Sequence, residues 1–318
     1  DNDVVIYGFP GQQGWWLENP GTDAVASTGH WPRHLALDVI DNESPRWVDI
    51  TGDGRPEIVC SVGGCFGYAS IPKENPHGRW TFTRISPEVG AQKFTHGLGV
   101  GDVDGDGRLD ILEKSGWWQQ PESLEGNPLW ERHAFAFAGP GGAQMYVRDV
   151  DGDGLNDVVT SLAAHGWGLA WYRQTVADDG SRSFEQQLIT GEQLSDSPYR
   201  VAFSQIHAID MADIDGDGLD DIVTGKRYWA HGPKGDPEPG APAVVYWFRC
   251  TRSTDPATGE TTAEFVPHLI DDNSGVGVEV TAVDASGDGL LDIVVGNKQG
   301  TFVHIQSREP VSAEVYAA

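Results

Sequence analysis

The chain is short of positive charge, of cysteine and of long apolar runs. Lysine and arginine number 21 against 48 aspartates and glutamates, a formal net charge of −27. Nucleic acid and anionic membrane surfaces attract basic proteins, so neither is an expected partner. No run of about 18 apolar residues occurs, which excludes helical membrane insertion. The first thirty residues lack a basic start and an apolar stretch, so the expectation is a mature or trimmed chain without a signal peptide. Three cysteines, Cys60, Cys65 and Cys250, make no disulfide framework; either Cys60 bridges Cys65 across a turn or all three are free.

What is abundant points to a folded β protein. The chain has 12 Trp, 11 Phe and 8 Tyr, where an acidic disordered segment would have few aromatics. Its 41 Gly and 19 Pro suit an architecture of short strands and tight turns.

Internal repetition decides the fold class. One nine-residue pattern occurs five times: DITGDGRPE at 49–57, DVDGDGRLD at 102–110, DVDGDGLND at 149–157, DIDGDGLDD at 213–221 and DASGDGLLD at 284–292. A short apolar stretch precedes each loop, and a β-branched run follows, as in Ile58-Val59, Val158-Val159 and Ile222-Val223. Aromatic strands come next, such as Gly116-Trp117-Trp118 and Val245-Tyr246-Trp247-Phe248, and a closing strand completes each unit. Four short strands per unit, repeated at this period, predict an all-β fold, a β-propeller of about six four-stranded blades in a six- or seven-bladed ring. The units run over about 1–44, 45–94, 95–143, 144–204, 205–277 and 278–318 of a single domain. The first begins inside a repeat, because Asn2-Asp3-Val4-Val5 matches Asn156-Asp157-Val158-Val159.

The acidic loops predict calcium, in up to five structural sites. Side chains at positions 1, 3, 5 and 9 and the carbonyl of position 7 form a cage of hard oxygen donors, and glycines at 4 and 6 allow the sharp turn. The ligands so predicted are Asp49, Thr51, Asp53, Arg55 and Glu57 in the first loop, and Asp102, Asp104, Asp106, Arg108 and Asp110 in the second. The third offers Asp149, Asp151, Asp153, Leu155 and Asp157, and the fourth Asp213, Asp215, Asp217, Leu219 and Asp221. Asp284, Ser286, Asp288, Leu290 and Asp292 form the fifth. Thr51 and Ser286 replace an acid, so those two loops should bind more weakly. An EF-hand is excluded, since its bidentate Glu belongs at position 12. Only Glu113 meets that need; the other loops place Cys60, Thr160, Thr224 and Val295 there.

These D-x-D-G-D-G-x-x-D loops, followed by β-branched and Gly-Trp-Trp strands, resemble the FG-GAP/VCBS repeat family of calcium-binding propellers, to which the integrin α-subunit head belongs. The resemblance implies a calcium-stabilised propeller. For function it implies a range: adhesion heads, glycan-binding modules and a few carbohydrate lyases and dehydratases. Phe66-Gly67 and Gly139-Pro140-Gly141-Gly142-Ala143 are only loosely similar to the boxes that name the family, which argues against an integrin-type ligand site.

Strand order predicts where a ligand would sit. Loops joining first to second strands share one face, so the starts of first strands and the turns after second strands share the other. That opposite face gathers Arg46, His96, Gln144, Tyr146, His207 and Glu279 with Tyr68, Lys114, His165, Trp167, Lys226, Arg227, Tyr228, Trp229, Asn297 and Lys298. With Lys73 counted, four of the six lysines fall there, a local cationic funnel for an anionic ligand. The expected function is carbohydrate binding, an acidic polysaccharide above all, with Lys114, Lys226, Arg227, Trp167, Trp229 and Glu279 as contacts, in a secreted, periplasmic or cell-surface protein. The alternative is a polysaccharide lyase or sugar dehydratase acting by β-elimination. There His96, His207 or His165 would abstract a proton, Tyr146 or Tyr228 protonate the leaving group, and Arg46, Arg227 or Lys226 neutralise the enolate. A scaffold that adheres to a cell-surface protein is the third reading. His34, His133 and His268 recur at one outer-strand position and read as structural, and the Trp15-Trp16 and Trp117-Trp118 pairs read as packing between blades.

Overall fold

The computed structural model describes residues 2–21 and 29–309. Its strands fall into sequential antiparallel meanders. The first sheet holds β1 (Val4–Tyr7), β2 (Gln12–Leu17) and β3 (Arg33–Ile40). The second holds β4 (Arg46–Val48), β5 (Glu57–Val62), β6 (Cys65–Ser70) and β7 (Thr81–Arg84). The third unit contributes β8 (Leu98–Gly101), β9 (Asp110–Glu113), β10 (Gly116–Gln119) and β11 (Glu131–Ala134). The fourth contributes β12 (Gln144–Arg148), β13 (Asp157–Ser161), β14 (Leu169–Val176) and β15 (Arg182–Thr190). Next come β16 (Ile209–Ala212), β17 (Asp221–Gly225), β18 (Val245–Thr254) and β19 (Thr261–Asp271). The last sheet holds β20 (Val280–Val283), β21 (Asp292–Asn297) and β22 (Gly300–His304). A fourth strand of that final unit would fall at its end, where residues 310–318 lie outside the described residues.

Burial explains why these runs are strands. The second strands of the four middle units, β5, β9, β13 and β17, are hidden on both faces, and they read as apolar or small stretches such as Ile58-Val59-Cys60 and Ile222-Val223-Thr224. Outer strands such as β7 and β11 keep water on one side and carry charge. Between each pair of consecutive units lies one apolar cluster. Trp16, Leu37 and Ile40 pack on Ile58, Cys60 and Trp80, and Ile50, Val59 and Phe66 pack on Leu98, Ile111 and Trp118. Trp117 and Phe137 meet Val158 and Tyr172; Val159 and Trp171 meet Ile222 and Phe248; Val223 and Val245 meet Val280 and Ile293. The result is a propeller-like all-β fold in which the first strands β4, β8, β12, β16 and β20 adjoin one another in order.

One join departs from the expectation of separate blades. β8 and β12 pair in parallel, Leu98 with Gln144 and Gly99 with Met145, fusing two units into a curled eight-stranded sheet. Glycine permits this approach: a Cβ on Gly99 would lie 2.4 Å from the Met145 carbonyl oxygen.

A second device clasps neighbouring units. Gln120 donates to the Ile50 carbonyl at 2.8 Å, Gln174 to Val103 at 2.9 Å, Arg252 to Val150 at 2.9 Å and Gln306 to Ile214 at 3.0 Å. In each case the side chain reaches back into the acidic loop of the preceding unit. All three cysteines are free and buried. The recurrent histidines stack on tryptophan, His34 on Trp16 at 4.5 Å, His133 on Trp117 at 4.2 Å and His268 on Trp247 at 4.7 Å, so they are packing elements. Trp16, Trp117 and Trp118 are buried, which makes them packing as well.

Candidate functional site

Strand register identifies equivalent positions across the units. Arg46 lies opposite Val59, Gly99 opposite Leu112, Tyr146 opposite Val159, Asp210 opposite Val223 and Thr281 opposite Val294. Each partner stands two residues after the ninth position of its acidic loop, so these five form one tier lining the inner strands. Three residues earlier, in the segments leading into those strands, stand Glu43, His96, Ala143, His207 and Val278. Three residues of strand span about 10 Å, which makes this a separate outer tier.

Backbone bonds bring the outer tier together. Lead-in segments hydrogen-bond second strands and the turns after them: within one unit Asp41 N donates to Ser61 O and Ala164 N to Gly141 O, both at 2.9 Å, and between units Val276 N donates to Lys226 O at 3.0 Å. Gln205 links two such turns, donating to Gly166 O at 2.5 Å and accepting from Arg227 N at 2.9 Å. Gly141, at φ 95°, runs against His96, where a Cβ would lie 2.5 Å from the His96 carbonyl oxygen. The 139–144 segment thereby holds the His96 lead-in beside the turn that carries His165.

Three imidazoles meet as a consequence. Ring centroids of His96, His165 and His207 are 4.8, 4.9 and 5.0 Å apart, and the Nε2 atoms of His96 and His165 are 2.9 Å apart. His207 Nε2 lies 3.2 Å from Glu43 Oε2 but out of hydrogen-bond alignment, so neither of its ring nitrogens has a partner, although the residue is 1% exposed. Asp236 sits between His165 and His231, 3.4 Å from Nδ1 of the first and 2.9 Å from Nδ1 of the second. Burial, assisted by the neighbouring charges, pushes His96 and His165 down to about 4 and lowers His207 too. Burial alone would raise Glu43, yet His207, His96 and Arg227 outweigh it and hold its carboxyl low. The site at neutral pH is three uncharged bases beside two carboxylates.

The remaining candidates divide by position. Tyr146 and Arg46 belong to the inner tier: the Tyr146 hydroxyl donates to Asp210 Oδ1 at 2.9 Å and accepts from Arg46 Nη1 at 3.3 Å. Gln144 spans the same channel, donating to Val278 O and accepting from Ile209 N. Arg227 reaches within 3.9 Å of Glu43, in the outer tier. Tyr228 and Trp229 stack at 4.9 Å on the loop between β17 and β18 that also carries His231 and Asp236, and Trp167 is two residues from His165. Trp229 has φ 43°, a left-handed conformation that is costly for a bulky side chain. Lys114 is half-buried in the turn after β9 and gives its carbonyl to Phe137 N.

The cationic funnel is corrected in three places. Lys226 is buried and donates to Ser204 Oγ at 2.7 Å, so it is an internal strut. Lys298 donates to the Trp229 and Ala230 carbonyls, supporting the aromatic pair from behind. Lys73 follows the third strand of its unit and pairs with Asp53 at 3.1 Å, on the acidic-loop face; Tyr68, within β6, borders the same loop. Glu43, Asp210, His231 and Asp236 escaped the sequence reading. For Glu43 and Asp210 the usable signal was alignment of the lead-ins and first strands on the acidic loops.

Glu279 carries a pH prediction. Burial raises its carboxyl to about 7, against the lowering effect of Arg46. A raised folded-state value means that stability present below the ordinary glutamate range is lost as pH rises through about 7. The loss is on the order of 3 kcal/mol, so Glu279→Gln should raise the melting temperature at pH 8 by a few degrees and shift it much less at pH 5. Equal shifts at both pH values in thermal scans would refute the assignment.

The acidic loops lie where strand order put them, between the first and second strands of five units. The first Asp of each caps the turn: Asp102 accepts from the amides of Gly105, Asp106 and Gly107. The ninth residue is buried and holds two strands together, as Asp110 does by accepting from Val103 N and Gln120 N. Burial pushes Asp110 and Asp157 up to about 7 and Asp221 to about 6. Cations of the chain neutralise part of the charge, with Arg173 Nε 2.7 Å from Asp151 and Arg249 Nη2 3.1 Å from Asp217. Glu113 is bound by Arg132 at 2.8 Å, so its EF-hand spacing is incidental.

Fold and loops together define a propeller-like all-β repeat protein. The model of the FG-GAP-like repeat matches residues 149–224, so the repeat recognised in the sequence is present there. No curated protein matches the chain by sequence. Among solved structures, an Agrocybe aegerita lectin specific for non-reducing terminal N-acetylglucosamine aligns at 17% identity and TM-score 0.52, over 95% of this chain and 72% of the lectin. At that identity the likeness concerns the fold alone. The Tc holotoxin pore of Photorhabdus luminescens aligns at 16% identity and TM-score 0.42, over 95% of this chain and 13% of that one. The V. cholerae biofilm matrix protein Bap1 gives 14% and 0.37, over 96% and 55%.

Proposed function

We propose that the protein is a calcium-stabilised propeller that binds carbohydrate at the face built from the lead-in segments and the turns after the second strands, and that it works outside the cytoplasm. The carrying observation is convergence. Trp167 shares a turn with His165, and the stacked Tyr228–Trp229 pair shares a loop with Arg227, His231 and Asp236, of which Asp236 reaches His165 and Arg227 reaches Glu43. Apolar rings that accept a sugar face, next to a few fixed polar groups, are the usual make-up of a small-ligand site. The strained Trp229 supports the reading, since such conformations cluster at ligand clamps. A lectin with the same fold is consistent with it.

Calcium fits the loops by donor chemistry. Asp102, Asp104 and Asp110 form one close carboxylate group, and Asp149, Asp151 and Asp157 another. Buried oxygens of Thr51, Glu57 and Asp151 have no hydrogen-bond partner. In all five loops the side chains at positions 1, 3, 5 and 9, with the position 7 carbonyl, would hold the ion. Bound calcium would neutralise crowded carboxylates and lock each first strand to its second.

Glycan-array screening followed by calorimetry tests the site. Trp229→Ala should weaken binding of the best saccharide at least 10-fold, about 1.4 kcal/mol, with an unchanged melting curve. An outer cleft between β11 and β15 is lined by Trp117, Gln119, Arg132 and Arg182. If Arg132→Ala removes binding and Trp229→Ala does not, the ligand sits there and the proposed face is wrong.

One observation favours a lyase as the second reading. His96 and His165 stand with their Nε2 atoms 2.9 Å apart, and burial keeps both unprotonated at neutral pH, so either can accept a proton beside a uronate, as a weak base. New ultraviolet absorbance from unsaturated sugar ends, abolished by His96→Ala, would establish it.

A further inference from the structure

We propose that His96, His165 and His207 form a binding site for one divalent transition-metal ion, Zn²⁺ being the ion that best suits three imidazoles. The inference is independent of the carbohydrate reading and of the calcium loops, whose donors are all oxygen.

Geometry comes first. The three rings reach the site from separate elements: the lead-in to β8, the turn after β13 and the lead-in to β16. One potential ligand nitrogen from each lies within 4.8 Å of the others. The His96 and His165 Nε2 atoms are 2.9 Å apart. Two nitrogens bound tetrahedrally at about 2.0–2.1 Å from zinc stand about 3.3 Å apart, so a small outward shift seats the ion. Three protein nitrogens would leave a fourth position open, as in zinc sites that bind water or a ligand.

Unmet hydrogen-bonding capacity is the second, separate sign. His207 is 1% exposed and neither ring nitrogen makes an aligned hydrogen bond; Nε2 faces Glu43, and Nδ1 has nothing to bond. A buried imidazole without partners is costly in a fold that satisfies its other histidines by stacking or pairing. Carboxylates stand behind the rings as metal-binding histidines require: Asp236 Oδ1 is 3.4 Å from His165 Nδ1, and Glu43 Oε2 is 4.0 Å from His96 Nδ1 and 3.2 Å from His207 Nε2. The Glu18, His34 and His77 cluster is the contrasting case. There both imidazoles stack on Trp16 and both bond to the carboxylate.

Titration of chelator-stripped protein with zinc, in buffer containing excess calcium so that the acidic loops stay occupied, tests the proposal. One zinc per chain should bind, and cobalt in its place should give the strong visible bands of a four-coordinate nitrogen site. His96→Asn and His165→Asn should each weaken zinc at least 100-fold and abolish those bands, while Asp236→Asn weakens it about 10-fold. His207 is buried, so His207→Asn is judged only with an intact circular dichroism spectrum; the two half-buried histidines decide the matter without it. Zinc binding of unchanged strength in both variants, absence of a stoichiometric site in the parent protein, or displacement of zinc by calcium would each overturn the proposal.

Discussion

Chelation of calcium should lower the melting temperature by 15 °C or more, and added calcium should restore it. Five loops contribute by mass action. With dissociation constants of about 0.1 mM, common for extracellular calcium modules, and about 2 mM calcium, each contributes roughly 2 kcal/mol. Five such loops would together match the whole stability of an ordinary domain, about 5–15 kcal/mol. Asp151→Ala should lower the melting temperature in calcium and shrink the response to chelator. Asp151 is 1% exposed, and its Oδ2 has only the misaligned Arg173 beside it. Loops that contain Thr51 or Ser286 have one charge fewer and should empty first in a calcium titration. A melting curve indifferent to excess chelator would refute the calcium reading.

Gly142→Ala should cost more than 4 kcal/mol, the largest loss expected from any single methyl group in the molecule. A Cβ at Gly142 would lie 1.7 Å from the Ser161 carbonyl oxygen, and backbone cannot rotate away as a side chain can. Ser161 is itself fixed, its hydroxyl accepting from Ala143 N at 2.8 Å and donating to Ile206 O at 2.8 Å. Displacement would spread to the 139–144 segment that aligns His96 with His165, so zinc uptake should fall with stability. Gly139→Ala is the internal control: nothing lies within 4 Å of its Cβ, and the change should stay within about 0.5 kcal/mol. Urea denaturation of the two variants settles the comparison, and similar midpoints would show that the segment can yield.

The sequence showed the acidic loops and the strand order because a nine-residue pattern with two glycines tolerates little variation. From strand order alone it followed that His96, His165 and His207 share a face. Their mutual contact was not legible, because it depends on hydrogen bonds between lead-ins and turns that bear no motif. Glu43 stayed hidden because Asp-Asn-Glu-Ser-Pro reads as an ordinary turn until strand register equates it with the His96 and His207 positions. Asp236 was out of reach for another reason: the loop between β17 and β18 has no fixed length, so nothing in the chain says where it folds back. Lys73 was misplaced because the second-strand turn of its unit is only Gly63-Gly64, and the following strand carries Lys73 to the other face. The joining of β8 to β12 rests on glycines whose missing side chains offer no pattern to read.

The clasps formed by Gln120, Gln174, Arg252 and Gln306 bear on how the molecule comes apart. Each grips a carbonyl in the preceding unit's loop, so any loosening of that loop loosens the anchor of its successor. Such nearest-neighbour coupling lets successive units behave as one cooperative block, in which disorder that starts at one unit passes to its neighbours.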